Sequence, residues 1–572
     1  MGMSIVNRVA NPIELDANSV WRFPGQENLG YTDGESHEAY IGKVLQNASD
    51  LGSNSYELEE RVRDWVTKYH LSRKRAQLLR GFSFDRNARV LEVGCGCGAI
   101  TRFLGENFVD VVAIEGNPSR AALARLRTRD LPGVSILSAP FQNIQFRSQF
   151  DLIFCIGVFE YSKVFVAGAD PHETVLRYFS DILAPDGAVI MAIENQFGLK
   201  YFASSPEDHN NIPFDGIEGY PRQDAHKTFG YNELKRRLSR HFGDIHFYFP
   251  YPDYKMPSCV VSEEAFGKIN LGEAIGRLTA LDYPRARVPS FDQRLALMEL
   301  ARNDLLHQFA NSFLVVASKG RGARIRFDNL GVLFSDCRRR EFQMVTIIEN
   351  REDAGIWVQK RHINCGCANA GCLSMVESEV RWIDSDSIQM QLMKRAKSKK
   401  MTFAELFEPC EIWMRKISQL STVRSGHQVV DGRYIDSLWS NSFVENGECV
   451  FIDQEWIWNG EIRMNVLVAR AVYYLLKEIR GMSLAHPELA KGVSRSLVVK
   501  IGRELGIEIG RDDWREFLRM ENEFKRTVIE ARKSWKDRLV RKLRRAYSRL
   551  SRRRYASLWG NSLTPSAAWT RR

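Results

Sequence analysis

No apolar run in this 572-residue sequence approaches the length of a membrane span. The longest uncharged one near the middle, Leu152 to Phe159, has eight residues, whereas a spanning helix needs about 20. The N-terminus lacks a basic segment followed by an apolar one, so no secretory leader is expected. Low-complexity tracts and sequence repeats are missing too, which argues against solenoids and disordered arrays. The ten cysteines follow no framework: their spacings are irregular, and Cys95 and Cys97 sit inside a glycine-rich loop. That pattern reads as free thiols in a reducing cytoplasm.

Net basic charge is confined to one end. Residues 531–572 hold 14 Lys or Arg against a single acid, Asp537, so of the net +11 the remaining 530 residues carry −2. The folded body therefore has no basic excess to continue that patch, and no nucleic-acid partner is expected. At this length two or three domains are expected, since single cores stop growing at about 250–300 residues.

What is present begins at Arg89. The run Arg89 to Val93 is followed at once by Gly94-Cys95-Gly96-Cys97-Gly98, and Ala99 to Phe108 then has helical periodicity. Strand, glycine turn and helix form the first unit of a nucleotide-binding α/β fold. The glycines let backbone approach a ligand, and the helix start offers free N–H groups. A second strand, Asp110 to Ile114, ends in Glu115, placed to accept both hydroxyls of a ribose. Pro140-Phe141-Gln142-Asn143 precedes a third buried run, Phe150 to Tyr161. A helix then ends in Leu183-Ala184-Pro185-Asp186-Gly187, and the strand Ala188 to Ile193 ends in Glu194-Asn195.

This order resembles the class I methyltransferases that use S-adenosylmethionine (SAM), a doubly wound, Rossmann-like α/β fold. A dehydrogenase or an unliganded α/β core is the alternative, but the LAPDG turn and this fourth-strand signature are not expected of hydride-transfer folds. The resemblance implies that Glu92, Gly94, Gly96 and Gly98 surround the methionine part of the cofactor and that Glu115 holds the ribose. It places Phe141 and Gln142 near the adenine, and Cys155 to Val158, including Ile156 and Gly157, beside the sulfonium. Family members often carry Leu-Glu-His after strand four, where this chain has Phe159-Glu160-Tyr161. Nucleic-acid amino-methylases usually carry an Asn- or Asp-Pro-Pro-aromatic clamp there, and this chain reads Ile156-Gly157-Val158-Phe159 instead.

A hydroxyl acceptor needs a base, whereas an anionic phosphate or carboxylate does not. Glu194 and His209 are the candidate bases, because acceptor loops emerge after strand five. The plainer reading is a strand-ending acid and a surface histidine paired with Asp208.

Past residue 325 the pattern changes. Val345 to Glu349 and Gly355 to Arg361 predict a hairpin with Lys360 at its end. Asp436, Asn441 and Asp453 then follow at the spacing of protein and aminoglycoside kinases. By that resemblance Lys360 would hold ATP phosphates, with Glu377 or Glu379 as its partner. Asp436 would position a hydroxyl, and Asn441 and Asp453 would bind Mg²⁺. No glycine-rich loop precedes Lys360, and Tyr434-Ile435 replaces His-Arg, so a scaffold that kept the carboxylates is the alternative. His362, Cys365, Cys367 and Cys372 match no common zinc spacing and read as a loop with incidental thiols.

The expected architecture is an N-terminal extension over 1–59 and a methyltransferase domain over 60–320 with a helical insertion at about 258–310. An α+β kinase-like domain over 321–510 and a basic amphipathic helical tail over 511–572 would follow. This order resembles the bacterial bifunctional methyltransferase-kinases of O-antigen and polysaccharide synthesis. The resemblance implies a glycan or lipid-linked glycan acceptor, or its terminal sugar phosphate. Trp535, Leu539, Leu543, Tyr547 and Leu550 share one helix face flanked by arginines, so residues 531–572 are expected to lie on an anionic membrane surface, with the protein cytoplasmic and peripheral to the inner membrane. A small-molecule or protein methyltransferase with an inactive kinase-like module, and a non-enzymatic glycan-assembly scaffold, are the rival readings.

Overall fold

The structure, a computed structural model, describes residues 5–529 apart from 26–31, 33, 223–224, 279–289, 321–323, 336–337, 365–368, 399, 481 and 483. The helix expected between Trp535 and Leu550, and the membrane-facing segment with it, lies outside the described residues, as do Cys365 and Cys367. Among the described residues no helix is long and apolar enough to cross a membrane.

The first half is built on five parallel strands: β1 (Arg89–Val93), β2 (Asp110–Glu115), β3 (Val134–Ser138), β4 (Phe150–Ile156) and β5 (Leu183–Glu194). Their order in the sheet is β3-β2-β1-β4-β5. Parallel strands covered on both faces must be apolar throughout, and β4 is buried at every position. Alternation along β1 sends Leu91 and Val93 into the core on one face and Val90 into the core on the other. Helices α1 (Ala99–Asn107), α2 (Pro118–Arg127) and α3 (Pro171–Ile182) make the crossovers. Asn117 caps α2 by accepting from the Ser119 and Arg120 amides, with Pro118 in its first turn. The strand order reverses between β1 and β4, and in open α/β sheets ligands bind at the strand ends beside such a reversal.

After α4 (Tyr231–Leu238) come β6 (Asp244–Tyr251), β7 (Cys259–Ser262) and β8 (Ser312–Ser318). Strand β8 inserts antiparallel between β5 and β6. The core is thus a Rossmann-like mixed sheet. Two details differ from the sequence reading. The LAPDG segment lies within β5, looped out as a bulge between the pairs Phe150↔Leu183 and Leu152↔Ala188. The segment expected as a helical insertion opens with β7 before its helices Glu263–Phe266, Gly272–Gly276 and Gln293–Arg302.

The sheet also crosses the expected boundary at 320. Strand β7 pairs with β9 (Gly331–Phe334), and β10 (Met344–Arg351), β11 (Gly355–His362) and β12 (Ser378–Arg381) extend it antiparallel to a total of 14 strands. The expected hairpin is β10–β11, with Lys360 opposite Thr346. Beyond it a second core gathers around the helices Met464–Glu478 and Arg511–Val528, closed by Trp413, Trp439 and Trp456.

Candidate functional site

A cavity of about 280 Å³ opens at the carboxyl ends of β1, β2 and β4. One wall is the glycine loop. Gly94 and Gly96 have left-handed backbones, φ +78° and +53°, which only glycine adopts without strain. Glu115 accepts from the Gly96 amide at 2.8 Å and from the Asn117 amide at 3.0 Å. A carboxylate has about four lone-pair sites, so two stay available to vicinal hydroxyls while the others pin the loop. Phe141 and Gln142 line the cavity, and Gln142 Nε2 donates to the Phe165 carbonyl at 2.9 Å. Ile156 and Gly157 line its floor. Gly98 departs from expectation: it packs on α2, where an added Cβ would lie 2.9 Å from Ala124 Cα, and it is not part of the wall.

Glu92 is buried with one carboxylate oxygen that has no hydrogen-bond partner. Burial lifts its pKa to about 7, against the pull of Thr101 and Arg75. An orphaned acceptor of this kind suits an ammonium group. Five further wall residues precede β1 and were not singled out from the sequence: Trp65, Val66, Tyr69, His70 and Arg75. Asp64 caps the helix Trp65–Leu71 through a capping box, and Trp65 and Tyr69 sit one turn apart with ring centroids at 5.8 Å. Arg75 lies over the Tyr69 ring at 4.1 Å and donates to the Lys255 carbonyl at 2.9 Å. Carboxylate, guanidinium and ribose acceptor around one cavity fit a nucleoside that bears an amino-acid group.

This arrangement predicts a pH dependence. In its neutral form Glu92 cannot pair with an ammonium, so cofactor affinity should climb as pH rises through about 7 and flatten above it. Below that point each pH unit should cost up to about tenfold. Calorimetric titrations with S-adenosylhomocysteine, repeated on Glu92→Gln, check it. A wild-type profile as flat as the variant's would overturn the assignment.

Across the cavity from the glycine loop lies a cluster of buried ions. His209 Nδ1 is 2.7 Å from Glu207 Oε1, and its Nε2 is 3.7 Å from Glu160 and 3.8 Å from Glu194. Lys255 pairs with Glu194 at 2.6 Å and with Asp208 at 3.1 Å, and Lys200 pairs with Asp208 at 2.5 Å. Burial works against charge on His209, but Glu194, Glu160 and Glu207 outweigh it and push its pKa up to about 10. Burial, with Glu194 nearby, raises Glu160. Glu194 is held below the usual carboxylate range because Lys255 and His209 outweigh its burial.

The structure thus brings both candidate bases together. Three carboxylates surround His209, and Glu194 is engaged by Lys255 and is not part of the cavity wall. The plainer pairing of His209 with Asp208 is not what forms either, since the two lysines take Asp208. Glu160, which replaces nothing in the family's Leu-Glu-His but its neighbours, does line the cavity.

In the second half Lys360 pairs with Asp453, and with Glu455 at 3.1 Å. Asn441 donates to the Asp436 carboxylate at 3.3 Å, and Arg470 pairs with Asp436 at 3.1 Å. The partner of Lys360 is therefore neither Glu377, which accepts from the His362 amide, nor Glu379, which pairs with Arg351.

Residues 91–189 match the model of a methyltransferase domain. No curated protein matches the chain. Among solved structures it is similar to the N-methyltransferase NodS from Bradyrhizobium japonicum WM9 in complex with S-adenosyl-L-homocysteine, at 18% identity over 28% of this chain and 75% of that one, TM-score 0.20. It is also similar to a TehB-like SAM-dependent methyltransferase from Corynebacterium glutamicum, at 14% identity over 43% and 88%, TM-score 0.24. A SAM-dependent methyltransferase from Mesorhizobium loti gives 17% identity over 42% and 95%, TM-score 0.25. Residues 91–189 thus carry a methyltransferase domain, on the Rossmann-like sheet that forms the cavity.

Proposed function

We propose that the protein is a SAM-dependent methyltransferase that methylates an oxygen of a lipid-linked glycan or of its terminal sugar phosphate. One observation carries the oxygen acceptor: Glu160, Asp208, His209 and Lys255 stand in the same cavity as Glu92, Gly94, Gly96 and Glu115. SAM supplies an electrophilic methyl group. The protein's part is to align a nucleophile behind it and manage that nucleophile's proton. Charged side chains suit a hydroxyl or phosphate, and the clamp used on base amines is missing after β4. The glycan reading rests on the order of the chain: the methyltransferase motifs, the hairpin bearing Lys360, then Asp436, Asn441 and Asp453, and last the run of basic residues over 531–572.

A second reading has its own support. Asp436 is tied to Arg470 and Asn441, an arrangement that favours a scaffold over a phosphotransferase using ATP and Mg²⁺. One experiment separates them: labelled methyl donor and labelled ATP offered with a cell-envelope extract, for wild type and Asp453→Asn. Methyl label in the lipid-glycan fraction, with phosphate label lost in the variant, supports both halves of the proposal. Methyl label confined to protein or small molecules overturns the acceptor. Phosphate label that never appears favours the scaffold.

A further inference from the structure

We propose that Glu160, Glu194 and His209 form a binding site for one divalent transition-metal ion at the acceptor end of the cavity. Three ligand atoms, one from each residue, lie within 4.8 Å of one another. The gaps of 3.7 and 3.8 Å from His209 Nε2 to the two carboxylates are too long for hydrogen bonds. They come close to the roughly 3.4 Å that separates two ligands of a tetrahedral ion with bonds of about 2.1 Å.

A second observation is independent of that spacing. Oε2 of Glu160 and Oε2 of Glu194 are each buried without a hydrogen-bond partner, and both side chains are 1% exposed. A buried charge is costly unless paired or coordinated to a metal. Lys255 satisfies only Oε1 of Glu194, at 2.6 Å.

The histidine is held for the task. Its Nδ1–H donates to Glu207 Oε1 at 2.7 Å, which turns Nε2 toward the two carboxylates, as a carboxylate behind a ligand histidine does. Glu207 is fixed in turn by the His209 and Asn210 amides at 2.7 and 2.9 Å. The edge of the Tyr161 ring meets His209 at 5.2 Å between centroids. The neighbouring trio Glu207, His209 and His226 is also compact, but both oxygens of Glu207 are already engaged, by His209 and by Asn210 and His226. That trio orients the ligand and does not bind the ion.

Imidazole with two carboxylates selects Mn²⁺ or Zn²⁺ over the all-oxygen preference of Mg²⁺ and Ca²⁺. Binding an ion displaces the Nε2 proton of His209, three protein ligands leave a position open, and Glu160 and His209 line the cavity. Lewis acidity there would acidify an acceptor hydroxyl. Its proton passes to solvent as the O–CH₃ bond forms, the S–CH₃ bond breaks and that bond's electron pair stays on sulfur. The site deepens the oxygen-acceptor reading, and its chemical use rests on that reading.

The test is calorimetric titration of chelator-stripped full-length protein with Mn²⁺ and with Zn²⁺, beside Glu160→Gln and Glu207→Gln. The expected result is one ion per chain. Affinity should fall by more than about a hundredfold in Glu160→Gln and about 10–100-fold in Glu207→Gln, with S-adenosylhomocysteine binding retained as evidence of folding. No binding of either ion, or binding that Glu160→Gln leaves unchanged, overturns the site. A single ion bound while methyl label goes to nitrogen would uphold the site and overturn the oxygen acceptor instead.

Discussion

Gly94→Val should abolish cofactor binding while leaving most of the chain folded. A Cβ added at Gly94 would sit 2.3 Å from Val158 Cγ2, on a backbone with φ +78°. Neither partner can give way easily. The Gly94 and Cys95 amides both donate to the Ile114 carbonyl at 2.9 Å, and Val158 directly follows Gly157, whose own added Cβ would lie 2.6 Å from the Tyr254 hydroxyl. The loop would have to lift off the strand ends, carrying with it the Gly96 amide that Glu115 holds. Valine adds a branched side chain where only glycine is unstrained, so the distortion falls on the cavity wall itself. The expected loss in S-adenosylhomocysteine affinity is at least about a hundredfold, or roughly 2.8 kcal/mol. Calorimetry beside a circular-dichroism melt reads it. Affinity within threefold of wild type would mean that the loop does not form the cofactor wall.

The glycine loop was legible because the constraint is local: strand, turn and helix are neighbours in sequence, and the loop's geometry dictates its residues. Strands β1, β2, β4 and β5 were legible because burial on both faces leaves no polar alternation to confuse with a surface strand. The ion cluster was not. Glu160, Glu194, His209 and Lys255 come from four separate segments, and β8 inserts between β5 and β6 to bring the turn bearing Lys255 over the end of β5. Sequence spacing carries no information about that closure. The helix Trp65–Leu71 did leave a trace, an Asp64 cap followed by aromatics one turn apart, but nothing local says that a helix before the first strand will wall the cavity. The mistaken partners of Lys360 have a simpler cause. Lys360 faces Ser378 across β11 and β12, while Gln359 faces Glu379. Side chains alternate along a strand, so Glu377 and Glu379 belong to the opposite face.

Arg470→Met should lower the stability of the second half by about 3–5 kcal/mol, the usual cost of stranding buried partners. Arg470 is 1% exposed in the middle of the helix Met464–Glu478. It pairs with Asp436 at 3.1 Å and with Glu521 at 3.3 Å, and it also donates to the Ile435 carbonyl. Its guanidinium packs on the rings of Tyr474 and Phe524, each at 5.1 Å. Methionine keeps much of the volume, so the loss isolates the charge and its hydrogen bonds. Glu521 keeps Tyr474 at 2.7 Å and Lys525 at 2.9 Å, whereas among the described residues Asp436 keeps the hydrogen bond from Asn441 and the more distant charge of Lys360. The unpaired charge should therefore be felt mainly at Asp436. Urea unfolding followed by tryptophan fluorescence reads the effect, because Trp413 and Trp439 are fully buried in this core. The midpoint of the transition is the quantity to compare, since a chain with two cores need not unfold in one step. Adding Asp436→Asn to Arg470→Met removes the stranded charge and should recover part of the loss, a coupling that only directly interacting residues display. An unshifted midpoint would show that the pair contributes nothing to stability. A loss that the double variant leaves uncorrected would put the cost in the packing of Arg470 on Tyr474 and Phe524, and Asp436 would then be free for chemistry.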